Sequence, residues 1–345
     1  MRKLFVRLLK RLTKSLDEEQ GIICQPYEIK EIPKEEHRPE AKVISPIKIE
    51  DTENKPDNKP NKKTKKKTST EITKLSFDPR DIMDTMEFPF LSLSKNRTTP
   101  IDYESPNGVM KVKVTCHTNQ YLASIYDWDI ILFFASKIQE NINTNSDIPP
   151  KTFIIPRHKL LKALHKYSGK TNRKEIEASL VRLKLTGIET TVSNEDYRYR
   201  SGFGFIDSWG YTERKDIKEF RITLSDWTYD LICRQGSLLK SSPEYFALTS
   251  GLKRFLYRTA RKHVGTQNHN WDILLETLYE KSGTEQDLRK FKYDLKKAIS
   301  DDDIPGYPIE WIEKDGKILI RFINGRKKIK RILSEPSDQP NLPFL

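Results

Sequence analysis

From Thr171 to Leu185 the chain reads TNRKEIEASLVRLKL, with apolar residues recurring at Ile176, Leu180 and Leu183. That spacing is the buried stripe of an amphipathic helix. Asn172 precedes Glu175 at capping-box spacing and marks the expected helix start. Upstream, GVMKVKVTC alternates as a strand does, with Met110, Val112 and Val114 on one side and Val109, Lys111 and Lys113 on the other. YDWDIILFFASKIQENI reads as a buried helix with Asp127 as N-cap, and KTFIIP as a short strand. PRHKLLKALHKYSG is a helix opening on Pro156 and closing on Gly169. GIETTVSN, YRYRSGFGFIDSWGYT and IKEFRITL follow as strands.

Helix, short turn, helix and strand pair is the order of a winged helix-turn-helix, with Ser168-Gly169-Lys170 as the turn. The order recurs. SGLKRFLYRTARKHVG, WDILLETLYEKSG and TEQDLRKFKYDLKKAIS are helical stretches, and YPIEWIEKDGKILIRF is a hairpin turning at Asp315-Gly316. In the last of these helices Leu288, Phe291, Leu295 and Ile299 form the buried stripe, and Ser282 with Glu285 the expected capping box. The predicted fold class is α+β, two winged-helix domains in tandem behind a disordered N-terminal region. The domains are placed at 87–235 and 236–324. Residues 17–86, rich in proline and mixed charge, form a disordered linker that cannot bury enough apolar surface to offset its ordering entropy. Its basic run, NKPNKKTKKKTST, is read as a solvated tether ahead of a non-specific phosphate contact. Residues 1–16 form a basic amphipathic helix for which a membrane surface, a partner's groove and its own domain all stay open. Residues 325–345 are a basic, then proline-rich, tail.

Charge narrows the function. Lys and Arg number 62 against 49 Asp and Glu, a formal charge of +13. Such an excess favours a polyanionic partner. Between Ser250 and Leu333 there are 19 Lys and Arg against 12 Asp and Glu, over half of the chain's excess in about a quarter of its length. Arg289, Lys290, Tyr293, Lys296 and Lys297 fall opposite the buried stripe of their helix, a face with more cations than solubility asks for. In the earlier helix Arg173 and Lys174 occupy the first turn, behind Lys170, with Lys184 further along. Cations there oppose the helix macrodipole, so stability alone does not explain them. These residues are the candidate contacts to double-stranded DNA, with Arg198, Arg200 and Arg321 as wing contacts to the backbone.

Enzyme chemistry finds little support. There is no GxxxxGKS/T phosphate loop and no HExxH. The six histidines are scattered, and His263, His269 and Asp272 make a poor metal set without a cysteine or second close histidine. Asp301-Asp302-Asp303 reads as a solvated turn. No catalytic residue, metal or cofactor is assigned. Cys24, Cys116 and Cys233 are far apart, which suits a reducing cytoplasm. No apolar run approaches the ~18 residues of a membrane span.

FPFLSLSKNRTTPIDYESPNGVMKVKV, RITLSDWTYDLI, PEYFALTSGLKRFLYRTARKH and LYEKSGTEQDLRKFKYDLKKAI resemble segments of the replication initiator protein A family of plasmid initiators. The resemblance runs over roughly residues 87–324 and leaves out the N-terminal helix, the linker and the last twenty residues. It implies a bacterial, plasmid-encoded protein that binds direct repeats in a plasmid origin and opens an adjacent A·T-rich duplex. It also implies recruitment of the host initiator and helicase, and self-repression as a homodimer. A transcriptional repressor without initiator activity is the competing reading. The end of the chain, QPNLPFL, is similar to the peptides by which bacterial replication proteins grip the sliding clamp, with Gln339, Leu342, Phe344 and Leu345 as contacts. Pro340, where such peptides carry leucine, departs from that pattern.

Overall fold

The computed structural model describes residues 47–48, 77–145, 149–164, 170–193, 198–215, 217–265 and 270–325. The basic N-terminal helix, most of the linker and the C-terminal tail lie outside the described residues. In chain order the first strands are β1 (Ile47–Lys48), β2 (Arg80–Ile82), β3 (Ile101–Glu104) and β4 (Met110–Cys116). Then come α1 (Trp128–Asn145), β5 (Thr152–Pro156), α2 (Arg157–Ala163) and α3 (Lys170–Leu185). Four strands follow, β6 (Thr186–Ser193), β7 (Arg198–Phe203), β8 (Ile206–Glu213) and β9 (Lys218–Leu224). After them stand α4 (Asp226–Cys233), β10 (Leu238–Lys240) and α5 (Gly251–His263). The chain closes with β11 (Trp271–Leu274), α6 (Leu275–Ser282), α7 (Leu288–Asp301), β12 (Ile309–Lys314) and β13 (Lys317–Phe322).

Two units share one connectivity. In the first, α1, β5, α2, α3, β8 and β9 run in order, and the sheet is β5-β9-β8 with β1 added parallel to β5. In the second, α5, β11, α6, α7, β12 and β13 run in the same order, and the sheet is β11-β13-β12. Each unit thus ends in a hairpin whose last strand lies between the other two. The first unit carries an insertion, since β6 and β7 leave it to join β3 and β4 in the sheet β3-β4-β6-β7.

The α3 stripe read from the sequence is buried as expected, and the α7 stripe is buried at its centre, with Leu288 and Ile299 at its ends half-buried against the core. Ile176, Leu180 and Leu183 of α3 are 1% exposed or less, and so are Phe291 and Leu295 of α7. Asp315 and Gly316 both take positive φ, as a type I′ turn requires. Several starts and ends need correction. α3 is already helical at Lys170, so Asn172 and Glu175 lie inside it rather than capping it. α7 starts at Leu288, not at 284; Asp287 is its N-cap and accepts from Lys290 N at 2.7 Å. Ser282 instead donates to the Tyr279 carbonyl, and Glu285 meets Thr99 and Arg97. Asp127 stands at the start of α1 as expected, but its carboxylate accepts from Ser124 and from Arg182. Trp271–Leu274, at the start of the stretch read as carrying a helix, is β11, which pairs antiparallel with β13 and buries Trp271 and Ile273 on one face.

The domain boundaries also move. Phe77–Met86, assigned to the linker, is folded: β2 pairs with β10 across the supposed 235/236 boundary, and Ile82 is fully buried. β1, deeper in the linker, joins the sheet of the first unit. The segment looks like linker because its acids read as solvated, yet Asp81 is 1% exposed, and Glu87 just after it 4%. Their partners lie far along the chain. Asp81 accepts from Arg258 Nε at 2.7 Å and from Trp128 Nε1 at 2.8 Å, and Glu87 accepts from Lys262 and Lys281. Arg254 of α5 adds a 2.7 Å bond to Asp129 of α1. Buried apolar residues from both units form one contiguous cluster. Packing there is close enough that a Cβ on Gly251 would fall 2.1 Å from the Leu93 carbonyl oxygen.

His263, at the end of α5, stacks on Trp271 with ring centroids 3.9 Å apart. Burial, then the charges of Lys262 and Lys281, hold its imidazole well below the ordinary value of 6.5. The unfolded chain therefore takes up a proton that the folded chain refuses, so stability is present above that value and is lost as pH falls through it. Urea unfolding on either side should show the decline, at most about 1.4 kcal/mol per pH unit from this group. His263→Phe should flatten it, and an unchanged slope would remove His263 as the cause.

Candidate nucleic-acid interface

In the first unit, the outward side of α3 and the β8–β9 hairpin carry the exposed cations. Lys174 and Lys184 are exposed, and Lys170 opens the helix. Arg173 reaches across to the hairpin, where its Nη1 lies 2.8 Å from Glu213 Oε2 and its guanidinium 5.2 Å from the Tyr211 ring centroid. Burial opposes the charge on Arg173, but Glu177, Tyr211 and Glu213 together raise its pKa above the ordinary value. Arg182 does not face outward. It makes a two-pronged pair with the buried Asp127, at 2.8 and 2.6 Å.

Arg198 and Arg200 are displaced from the role expected of them. They sit on β7, at the edge of the inserted sheet, and Arg200 pairs with Glu189 at 2.6 Å. Around them Asp102, Glu104, Lys111 and Lys113 line a shallow, mixed-charge cleft of about 440 Å³. Sequence order could not show which of two successive hairpins returns to β5. The hairpin that does so is β8–β9, and its exposed Arg214, Lys215 and Lys218 went unnoticed in TERKDIKEF. Three cations at a turn between two strands were the available signal.

In the second unit α7 presents Arg289, Lys290, Tyr293, Lys296 and Lys297, all exposed. Tyr293, 65% exposed, is the most open large apolar side chain among the described residues. Lys290 Nζ lies 4.9 Å from the Tyr293 ring centroid and 2.8 Å from Asp294 Oδ1. That hydrogen bond, helped by Gln286, pulls the Asp294 carboxyl below the ordinary range. Lys296 Nζ packs 4.5 Å over the Trp311 ring on β12, which ties the helix face to its hairpin. Arg321 is a cation with its charge already matched. On β13 it forms two 2.8 Å bonds to Asp272, which raise its pKa, and it stands cross-strand from Glu310.

Asp272 is thus spent on Arg321 and His263 on Trp271, while His269 lies outside the described residues. Lys253 of α5 holds Asp301 and Asp303 at 2.7 Å each, so the acidic turn is pinned rather than merely solvated. Among the described residues no group of three His, Cys, Asp or Glu could hold a metal ion, and no helix is long and apolar enough to cross a membrane.

The arrangement defines a two-unit protein whose cationic helix faces stand beside β-hairpins, with no catalytic constellation among its described residues. The model of the family described as Replication initiator protein A matches residues 80–309. A "Putative replication protein" of Wigglesworthia glossinidia brevipalpis is 32% identical over 243 residues, covering 69% of this chain and 86% of that protein. The chain belongs to the replication initiator protein A family. Among solved structures it is similar to a crystal structure of domains 2 and 3 of RctB, with a TM-score of 0.51 and 14% identity over 68% of this chain and 94% of that one. A second structure of RctB domains 2–3 gives a TM-score of 0.41 at 15% identity, over 70% and 97% of the two chains. At such identity the first of these speaks for the fold alone.

Proposed function

We propose that this protein is a sequence-specific, DNA-binding initiator of plasmid replication, and that its two units are winged helix-turn-helix modules. In this reading α3 and α7 each enter a major groove, and the β8–β9 and β12–β13 hairpins lie along the backbone as wings. The observation that carries the reading is the outward face of α7, where Arg289, Lys290, Lys296 and Lys297 surround an exposed Tyr293. Arginine grips guanine edges in two-pronged fashion, lysine meets phosphate, and an exposed tyrosine suits a thymine methyl or a sugar. The ligand is a set of repeats in a plasmid origin. Binding there promotes opening of the neighbouring duplex and recruits the host initiator and helicase. The sliding clamp is a further partner through Gln339, Leu342, Phe344 and Leu345, which enter the proposal through sequence alone. A homodimer would serve repression of its own gene.

Fluorescence anisotropy with a duplex from the DNA flanking the gene, against a scrambled duplex of equal length, tests the reading. A preference for the flanking duplex that survives near-physiological salt is expected. Equal, salt-labile binding to both would contradict sequence recognition.

A further inference from the structure

The two hairpins at the ends of the units differ at one position of their turns. In each, the residues that flank the turn stand opposite one another: Lys314 faces Lys317 across Asp315-Gly316, and Arg214 donates its N–H to the Ile217 carbonyl at 2.8 Å. Three of these four residues are cations; the fourth is an isoleucine, 43% exposed. Its described neighbours at the tip, Arg214, Lys215 and Lys218, are exposed cations. Of the acids nearby, Glu213 pairs with Arg173 and Glu219 stands back, half-buried, while Asp216 lies outside the described residues. Alternation along the ribbon puts Lys218 on the face of Glu213 and Arg214 on the opposite one, so cations flank Ile217 on both sides. The tip is held in place as well, because the ion pair from Glu213 to Arg173 ties it to the first turn of α3.

We propose that Ile217 is an apolar wedge: as α3 seats in its major groove, the β8–β9 tip enters the flanking minor groove, and Ile217 presses between two base pairs there and bends the duplex. The inference rests on the DNA-binding reading and adds deformation of the DNA to it. The strands of the hairpin still follow the backbone; only the tip dips inward. The walls of a minor groove are phosphate backbones, which Arg214 and Lys218 meet from the two faces of the ribbon. Its floor offers base edges and stacked rings to an apolar side chain. Isoleucine is among the side chains that part base steps in this way, whereas a lysine in its place, as in the second hairpin, is held at the phosphates. The two hairpins therefore differ in role: the β12–β13 tip stays on the backbone, and the β8–β9 tip distorts the DNA. Unstacking is easiest at TA and CA/TG steps, so Ile217 reads deformability at a position that no hydrogen bond contacts.

The test uses the flanking duplex with a single mismatch moved one base pair at a time across the site. A mismatch weakens stacking before the protein arrives, so wild type should bind roughly tenfold more tightly when it lies at the wedged step than when the duplex is fully paired. Ile217→Lys, which copies the second hairpin, should gain less than about twofold at every position, while Ile217→Leu should keep the wild-type profile. Energy transfer between dyes at the duplex ends should show wild type bending the paired duplex by roughly 20° or more, and Ile217→Lys leaving it nearly straight. Ile217 is exposed, so both variants should melt with wild type. An unbent wild-type complex, no tightening at any position, or the same tightening in Ile217→Lys overturns the wedge and leaves the DNA-binding reading in place. Wild type that binds flanking and scrambled duplexes equally overturns that reading, and the wedge with it.

Discussion

Arg258→Ala is expected to lower folding stability by about 3–5 kcal/mol, the usual result of stripping one partner from a buried ion pair. Arg258 is 6% exposed and Asp81 1%, and the guanidinium also donates to Thr85 Oγ1 at 2.8 Å. Without it the Asp81 carboxylate keeps only the Trp128 indole and its neighbour's backbone N–H as donors. The pair joins α5 of the second unit to β2, whose Asp81 also holds Trp128 of α1 in the first, so both units should lose stability together. Urea unfolding read by tryptophan fluorescence measures this. A midpoint within a few tenths of a molar of wild type would show that the junction does not depend on the pair.

Replacing Arg289, Lys296 and Lys297 together by alanine should weaken binding to the flanking duplex roughly a hundredfold and reduce the salt slope by about two to three. All three are exposed and Lys296 alone gives up a ring contact, so melting temperature should fall only by what that exposed cation–π contact is worth, about 0.5–1 kcal/mol. Affinity measured across salt concentrations separates the two effects. Unchanged affinity and slope would mean that this face of α7 does not meet DNA.

Local pattern was readable from sequence, and long-range partnership was not. The stripe Ile176, Leu180, Leu183 and the exposed face of α7 depend only on helical period, so the chain displays them openly. The Asp315-Gly316 turn depends only on two adjacent φ angles. By contrast, whether an arginine is available to DNA depends on carboxylates far away in sequence. Arg182 stands on the same helix as Lys174 and Lys184 but is taken up by Asp127, 55 residues earlier, and Arg321 is held by Asp272, 49 residues before it. The same blindness cast Asp81 as linker. β11 was hidden for another reason: four residues abutting a helix of similar hydrophobicity carry too little period to separate strand from helix. Topology misled at Arg198 and Arg200, because an inserted hairpin has the same sequence signature as a wing.

The central claim is that α3 and α7 each read a major groove. Hydroxyl-radical footprinting on the DNA flanking the gene tests it most directly, with wild type beside the Lys174→Ala and Tyr293→Ala variants. The account predicts evenly spaced direct repeats, each protected as two patches on one face about one helical turn apart, roughly 34–36 Å. Each variant should fade one patch and spare the other. A single palindromic footprint would favour a repressor that binds as a two-fold dimer, and protection without any sequence preference, or fading of both patches by either variant, would contradict the claim.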